Sequence, residues 1–458
     1  MAGKSFDLLF SRNNLFSDVL AFFYSTFVYF APWLVVLFYI IWSSRWFSTS
    51  PFFLSVLSYS LIFSMIIAGG MSFLISRFLA NCIYSRDQRK IYESYIGAVL
   101  LVFSVSLVIG LIFFAVNDQY SLVQKILACY TFVGFSLVWI LMQFASVTEK
   151  ESLAVLAFAG GIVVSVLLAR FWDISMEEKL LLTLDIGIGL IIFMLNFLIL
   201  SYLRSSIRIG FDFLLLTRKH PQLLFIGYFY YLSIWIDNFI AWKVKGIEIA
   251  PGFFMSPEYD IPKFMASLFF IPSLVVFNLS METVFQRNYK GLMQSIVSDK
   301  PMRVISENLK KLSLSLRHAF SNMFALNMVA MISCFLLRDS LRLWFNLSES
   351  FNRIFVWDVV GVSMNIAFMS LLVASLYFEY YGIALEGTAL VLTSNMILSV
   401  FFIENIPGLS FAVAFSGGFL YLLLRFKSKD FLYEVYTKQP LGLEKVKKTS
   451  WKPKEMIR

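Results

Sequence analysis

The sequence predicts an all-α, polytopic membrane protein of about twelve transmembrane helices in two six-helix bundles, with both termini in the cytoplasm. Three observations predict it: a composition too apolar for water, apolar runs of spanning length, and an uneven division of Lys and Arg between alternate loops.

Hydrophobic residues make up 59% of the 458-residue chain, aromatic residues 18% and charged residues 15%, and the mean hydropathy is +0.76. A soluble core stops growing at roughly 250–300 residues, and no polar exteriors for several soluble domains are visible. The net charge of +9 and pI of about 9.2 do not indicate nucleic acid, because the basic residues lie between apolar runs and in the tail, not in a patch interleaved with aromatics. Cys82, Cys129 and Cys334 are far apart and lack metal-ligand or His-paired spacing, so they read as free thiols acting as small hydrophobes. No metal and no cofactor are expected. The amphipathic start MAGKSFDLLFSRNN runs into the first span without a small-residue cleavage site, and we expect it to be retained.

Apolar runs fall near 18–42, 52–76, 94–116, 122–147, 152–171 and 180–203, which places a first six-helix bundle over residues 1–203. A basic cytoplasmic connector over 204–221 follows. Runs near 222–242, 263–281, 317–337, 354–377, 383–403 and 407–425 make a second bundle over 222–425. Within it, 287–316 alternates basic and apolar residues at helical spacing and predicts an interfacial cytoplasmic helix that docks a partner through Arg287, Lys290, Arg303, Lys310 and Lys311. The stretch 426–458 is a polar, Lys-rich cytoplasmic tail. With the N-terminus inside, 28 of the 38 Lys and Arg fall on the inner side, the distribution that retained positive charge produces. Two equal sets of spans around a longer connector suggest parallel halves.

Ionisable groups inside spans point to function, because each costs at least roughly 2.5 kcal/mol at mid-bilayer unless it faces a cavity or a partner. Asp237 lies centrally in GYFYYLSIWIDNFIAWK and either contacts substrate or a coupling ion, or pairs with Lys243, Lys245 or a helix N-terminus. Asp185 and Asp358 are cavity candidates whose alternative is interfacial placement near a helix N-terminus; Glu282 ends the eighth span, and Glu379 and Glu386 bracket the turn into the eleventh. Around Asp237, the residues Tyr228, Tyr231, Trp235, Asn238 and Trp242 recur at steps of three or four and share one helical face. Such a stripe can stack against the C–H faces of a sugar while its polar tips meet hydroxyls; the alternative is ordinary aromatic packing in a chain with 51 Phe. Gln143, Asn196, Asn278, Asn365 and Asn395 either line a wet cavity or bridge helices. Gly69-Gly70, Gly160-Gly161, Gly187 with Gly189, and Gly417-Gly418 permit close helix approach or bending. Two His, no metal-ligand spacing and no phosphate loop leave no candidate catalytic residue.

Several segments together resemble the PelG family of exopolysaccharide exporters, within the superfamily of polysaccharide flippases and multidrug antiporters. They are MAGKSFDLLF with APWLV, SRFLANCIYSRDQRKIYESYIGAVLL, GYFYYLSIWIDNFIAWK, YDIPKFMASLFFIPSLVVFNLSMETVFQRNYKGLMQSI and LYFEYYGIALEGTALVLTSNMILSVFF, in that order over nearly the whole chain. The chain departs from the family pattern at Gly3-Lys4-Ser5-Phe6-Asp7, Ser76 and Asn81, and keeps Arg77, a gate candidate. The resemblance implies two six-helix bundles around a central cavity, moving a growing galactosamine-type polysaccharide across a bacterial inner membrane. It also implies a cytosolic glycosyltransferase and membrane-anchored regulatory and assembly subunits, one binding cyclic di-GMP, as partners.

Three alternatives stand beside that expectation: a flippase for lipid-linked oligosaccharides, a cation-coupled small-solute antiporter, and a membrane anchor for the glycosyltransferase. Against the antiporter, the acid nearest the first span is Asp18, at its edge.

Overall fold

The computed structural model describes residues 15–428 apart from 48–49, 86, 149–150, 172–175, 204–207 and 299. The amphipathic start with Lys4 and Arg12, Lys150, Ser175 and the tail beyond 428 lie outside the described residues, as does the side chain of Asp18.

The first set of helices is α1 (Leu15–Trp46), α2 (Pro51–Ser85), α3 (Gln88–Ala115), α4 (Leu122–Ala145), α5 (Glu151–Phe171) and α6 (Met176–Tyr202). A short α7 (Asp212–Lys219) leads to α8 (Gln222–Lys245), a hairpin of β1 (Ile247–Ala250) and β2 (Phe253–Met255), then α9 (Pro257–Ser280), α10 (Gln286–Val297), α11 (Met302–Trp344), α12 (Ser350–Tyr377), α13 (Tyr381–Phe402) and α14 (Leu409–Lys427). Among the described residues eleven helical stretches are long and apolar enough to cross a membrane, with α9 and α10 forming one run over Pro257–Val297; α1 adds the apolar segment Phe30–Trp46. The protein is a multi-pass membrane protein.

Backbone groups are satisfied within the helices, as a hydrocarbon solvent requires. Local sequence sets the ends: Ser121 and Gln124 form a capping box at the start of α4, and Pro257 occupies the first turn of α9, where no N–H is needed. Large apolar side chains such as Val108 and Ile112 on α3 or Phe193 and Phe197 on α6 point outward, where lipid replaces water. Lipid gives little hydrophobic force between helices, so small residues let backbones approach. A Cβ on Gly187 would fall 2.6 Å from the Gly161 carbonyl oxygen, which brings α5 and α6 nearly into backbone contact.

Within the first set, α4 packs against α2, α3 and α6, and α5 against α6 and α1. In the second, α13 packs against α8 and α14, α12 against α14 and α9, and α9 against α11. The two sets meet along two seams, α2 with α8 and α1 with α9.

Two features differ from expectation. The predicted single interfacial helix over 287–316 is two helices that turn back on each other: α10 ends at Val297, and α11 restarts at Met302 after Pro301, which has no N–H and an extended backbone. The start of α11 is continuous with the ninth span. A straight helix of 43 residues is about 65 Å long against a hydrocarbon core of about 30 Å, so it cannot lie along the interface and cross the membrane at once. The paired α10 and N-terminal third of α11 therefore form a stalk off the bundle, carrying Arg287, Lys290, Arg303, Lys310 and Lys311, all exposed. The second feature is the hairpin between α8 and α9, which pairs Ile247 with Met255 and Glu248 with Phe254 around Pro251-Gly252. Gly252 turns it at φ +79, a backbone state that favours glycine.

Candidate functional site

The aromatic face of α8 lies along the seam with α2. At the stalk end, a Cβ on Gly227 would fall 2.2 Å from the Gly70 carbonyl oxygen, while the rings of Tyr228 and Tyr231 cover Gly70 and Gly69. Further along, Phe239 stacks on Phe63 at 5.3 Å and Trp242 on Tyr59 at 5.0 Å. Tyr228, Tyr231 and Trp242 are thus packed against α2. Trp235, between them, stacks instead on Trp33 of α1, with ring centroids 6.3 Å apart and planes at 14°.

Asp237 is fully buried, and its partner is neither Lys243, which is exposed, nor Lys245, which donates to the Glu404 carbonyl. It is Lys263 of α9, whose Nζ donates to Asp237 Oδ2 at 2.7 Å, to Asn238 Oδ1 at 2.7 Å and to the Ile234 carbonyl at 2.7 Å. Tyr259 donates to the same Asp237 oxygen at 2.5 Å, and Asn395 Nδ2 donates to the other at 3.2 Å. Asn238 Nδ2 and Trp242 Nε1 both donate to Asp260, at 2.7 and 2.8 Å. All three hydrogens of the ammonium are thereby used, and its charge also sits 4.0 Å from the Phe411 ring centroid.

Asp358 of α12 completes the cluster. It is fully buried about two turns into α12, and neither carboxylate oxygen meets a donor among the described residues. It interacts electrostatically with Lys263, Asp237 and Asp260. Three carboxylates thus surround one ammonium inside the second set of helices. A smaller group occupies the first set: Asp185 is also buried, accepts from Thr131 at 2.7 Å, and lies near Tyr39, whose hydroxyl meets Thr183 at 2.7 Å.

The two ends of the bundle are closed by different contacts between the sets. At the stalk end Arg77 of α2 pairs with Glu379, which follows α12 in a left-handed backbone conformation with φ 60. His220 packs edge-on against Tyr381 beside this pair at 5.1 Å. Burial holds the imidazole below its ordinary value, against Glu379, which favours the charged form. At the other end the hairpin of the second set is bolted to the first. Asn117 Nδ2 and the Tyr120 hydroxyl donate to the Pro251 carbonyl at 2.6 and 2.8 Å, and the Tyr59 hydroxyl donates to the Phe254 carbonyl at 2.7 Å. Phe253 is buried among Phe52, Tyr59, Phe113, Phe114 and Tyr120.

Of the other candidates, Asn365 accepts from the Tyr230 hydroxyl at 3.2 Å, bridging α12 to α8. Asn278 is half-buried on α9, and Glu282 lies in the π-helical turn Met281–Phe285, within electrostatic reach of Tyr377. Sequence reasoning missed Lys263, Asp260, Tyr259, Trp33 and the hairpin. The signals were present: Pro257 marks the true start of α9, which puts Asp260 and Lys263 inside that helix one turn apart, and Pro251-Gly252 between two β-rich triplets is a turn signal.

Solved structures that superpose on this chain include transporters. The eukaryotic MATE transporter AtDTX14 superposes with a TM-score of 0.64 at 11% identity, over 91% of this chain and 96% of that one. A MOP superfamily transporter from Pyrococcus furiosus gives 0.59 at 13% identity, over 89% and 94%, and an outward-facing multidrug resistance MATE family transporter gives 0.56 at 14% identity, over 89% and 94%. These identities establish the fold alone. No curated protein matches the chain. The family model for PelG, "Putative exopolysaccharide Exporter (EPS-E)", matches residues 1–436. On a match of that extent, carried by a transporter fold, this chain belongs to the PelG family.

Proposed function

We propose that the protein moves a growing exopolysaccharide of the Pel type, rich in galactosamine, across a bacterial inner membrane as the membrane subunit of a synthase and export complex. Membership of the family over residues 1–436 carries this reading. The geometry supports it in one respect above others: the two sets of helices meet along narrow seams, closed at one end by the Arg77–Glu379 pair and at the other by the hairpin. Two rigid bundles joined in this way suit rocking about a central path. Solved transporters of this fold include outward-facing and inward-facing ones.

In this reading the stalk end is cytoplasmic, the hairpin end periplasmic, and the chain acts by translocation and not by catalysis. The exposed Arg287, Lys290, Arg303, Lys310 and Lys311 stand off the membrane on the stalk, where a cytosolic glycosyltransferase has access to them; membrane-anchored subunits, including one that binds cyclic di-GMP, complete the complex. Deleting the gene from a host that makes the polymer should abolish extracellular polymer while cytosolic glycosyltransferase persists, and the intact chain should restore it. Normal extracellular polymer in the deletion strain would overturn the proposal. Reversing Lys290, Arg303, Lys310 and Lys311 to Glu should reduce co-purification of the glycosyltransferase; unchanged recovery would remove the stalk from the docking role.

Asp358 favours one second reading, transport coupled to a cation. A buried carboxylate with no donor among the described residues, near two further carboxylates and a single ammonium, is a group that can take up a proton or a cation. Proteoliposome uptake of a small cationic dye against a proton or sodium gradient distinguishes an antiporter from a polymer exporter. The exporter reading expects no dye movement.

A further inference from the structure

Four helices surround the line where the two sets meet: α2 faces α8, α1 faces α9, and among the described residues the backbones of α1 and α8 stay apart over nearly their whole length. One side chain from each of those two helices closes the distance. Trp33 and Trp235 reach toward each other as nearly parallel indoles, 6.3 Å between centroids. Both are half-buried. Trp235 Nε1 is buried and has no hydrogen-bond acceptor among the described residues, whereas the indole of Trp242 two turns away donates to Asp260. An indole N–H buried without an acceptor is costly, and Trp normally finds a partner when buried. The neighbouring polar groups do not serve: Asn238 Oδ1 accepts from Lys263, and Asp237 is occupied by Lys263, Tyr259 and Asn395.

We propose that Trp33 and Trp235 form a clamp for one pyranose ring of the transported chain, an assignment that rests on the exporter reading above. Two flat apolar faces suit the C–H faces of a sugar, and the indole N–H of Trp235 donates to a ring substituent, a hydroxyl or the carbonyl oxygen of an N-acetyl group. Carbon contacts form at about 3.5–4.0 Å, so a ring held between two indoles needs their faces about 7–8 Å apart, and the indoles, with centroids 6.3 Å apart here, must separate to admit it. The indoles belong to different sets of helices, and any rocking of one set against the other changes their separation. The clamp therefore grips and releases as the seams open and close. Lys263 Nζ lies 5.9 Å from the Trp235 ring centroid, which ties that ring to the charged cluster.

The test uses the full chain in two assays. In the export host, Trp33→Ala and Trp235→Ala each lower extracellular polymer about tenfold, the loss of one well-made contact, at unchanged protein level. Trp33→Phe keeps most of the export because it keeps a ring, and Trp235→Phe falls between because it keeps the ring and loses the donor. In lipid nanodiscs, saturation-transfer NMR with N-acetylglucosamine tetramer as probe shows saturation of the ring protons by the wild type, and loses it in both Ala variants. Ala variants that export normally and still saturate the probe overturn the clamp, while the gene deletion continues to report on the exporter reading separately. Should the Ala variants fail to accumulate, the Phe variants decide: weakening by Trp235→Phe with Trp33→Phe near wild type supports the clamp, and equal behaviour of the two overturns it.

Discussion

Lys263 is the residue on which the second set of helices depends most for charge. Removing one partner of a buried pair leaves the other uncompensated, at a cost of about 3–5 kcal/mol. Lys263→Met should therefore lower thermal stability in detergent well below that of an exposed Lys243→Met control, and adding Asp237→Asn should recover part of the loss. A double variant no more stable than Lys263→Met would mean that the pair is not the source of the cost. His220 gives a pH dependence at the same scale. Its folded-state pKa is lowered, so the unfolded chain binds this proton first. The stability from neutral His220 is fully present above about 6.5, the unfolded value, and is lost as pH falls from there through the lowered folded value. His220→Gln should show a smaller drop in melting temperature between neutral pH and mildly acidic pH than the wild type; an equal drop would assign the acid sensitivity elsewhere.

Among elements, the hairpin between α8 and α9 acts against its own connectivity. It belongs to the second set in sequence but also accepts hydrogen bonds from Asn117, Tyr120 and Tyr59 of the first. A residue with a side chain at position 252 is strained by φ +79, and its Cβ would fall 2.6 Å from Asn117 Nδ2. Gly252→Ala should loosen the strap, read as faster labelling of a cysteine placed at Tyr59 from the hairpin face. Joining Cys at 117 and 251 with a short reducible cross-linker should halt export, and reduction should restore it. Export that continues through the cross-link would show that the strap need not move. The stalk is the second informative element, because Pro301 decides it: without a break there, α10 and α11 would be one helix with no return to the membrane.

At the scale of the whole molecule, the Arg77–Glu379 pair joins positions 302 residues apart and holds the stalk end of the two sets together. Its side chains are 27% and 35% exposed, so its contribution is modest, about 1 kcal/mol. Arg77→Glu and Glu379→Arg should each reduce export several-fold through like-charge repulsion, and the double reversal should recover most of it. A double variant no better than the singles would argue that Arg77 serves the substrate and not the closure.

The multi-pass helical class was legible in the sequence because burial in lipid is written residue by residue: every span must be apolar over about 20 residues. Asp237 was legible for the same reason, as a carboxylate alone in an apolar run. Its partner was not. Lys263 stands at the edge of its apolar run, where a lysine ordinarily marks the interface, and only the start of α9 at Pro257 draws it inside. Trp33 carries no mark in a chain so rich in aromatics; its meaning comes from Trp235 on another helix. The burial of Asp358 beside Lys263, the strap and the ion pair that closes the stalk end are likewise relations between distant residues. Hydropathy is a local sum and fixes which segments enter the membrane. Which side chains meet inside it depends on how the helices rotate and cross, and only the packed structure decides that.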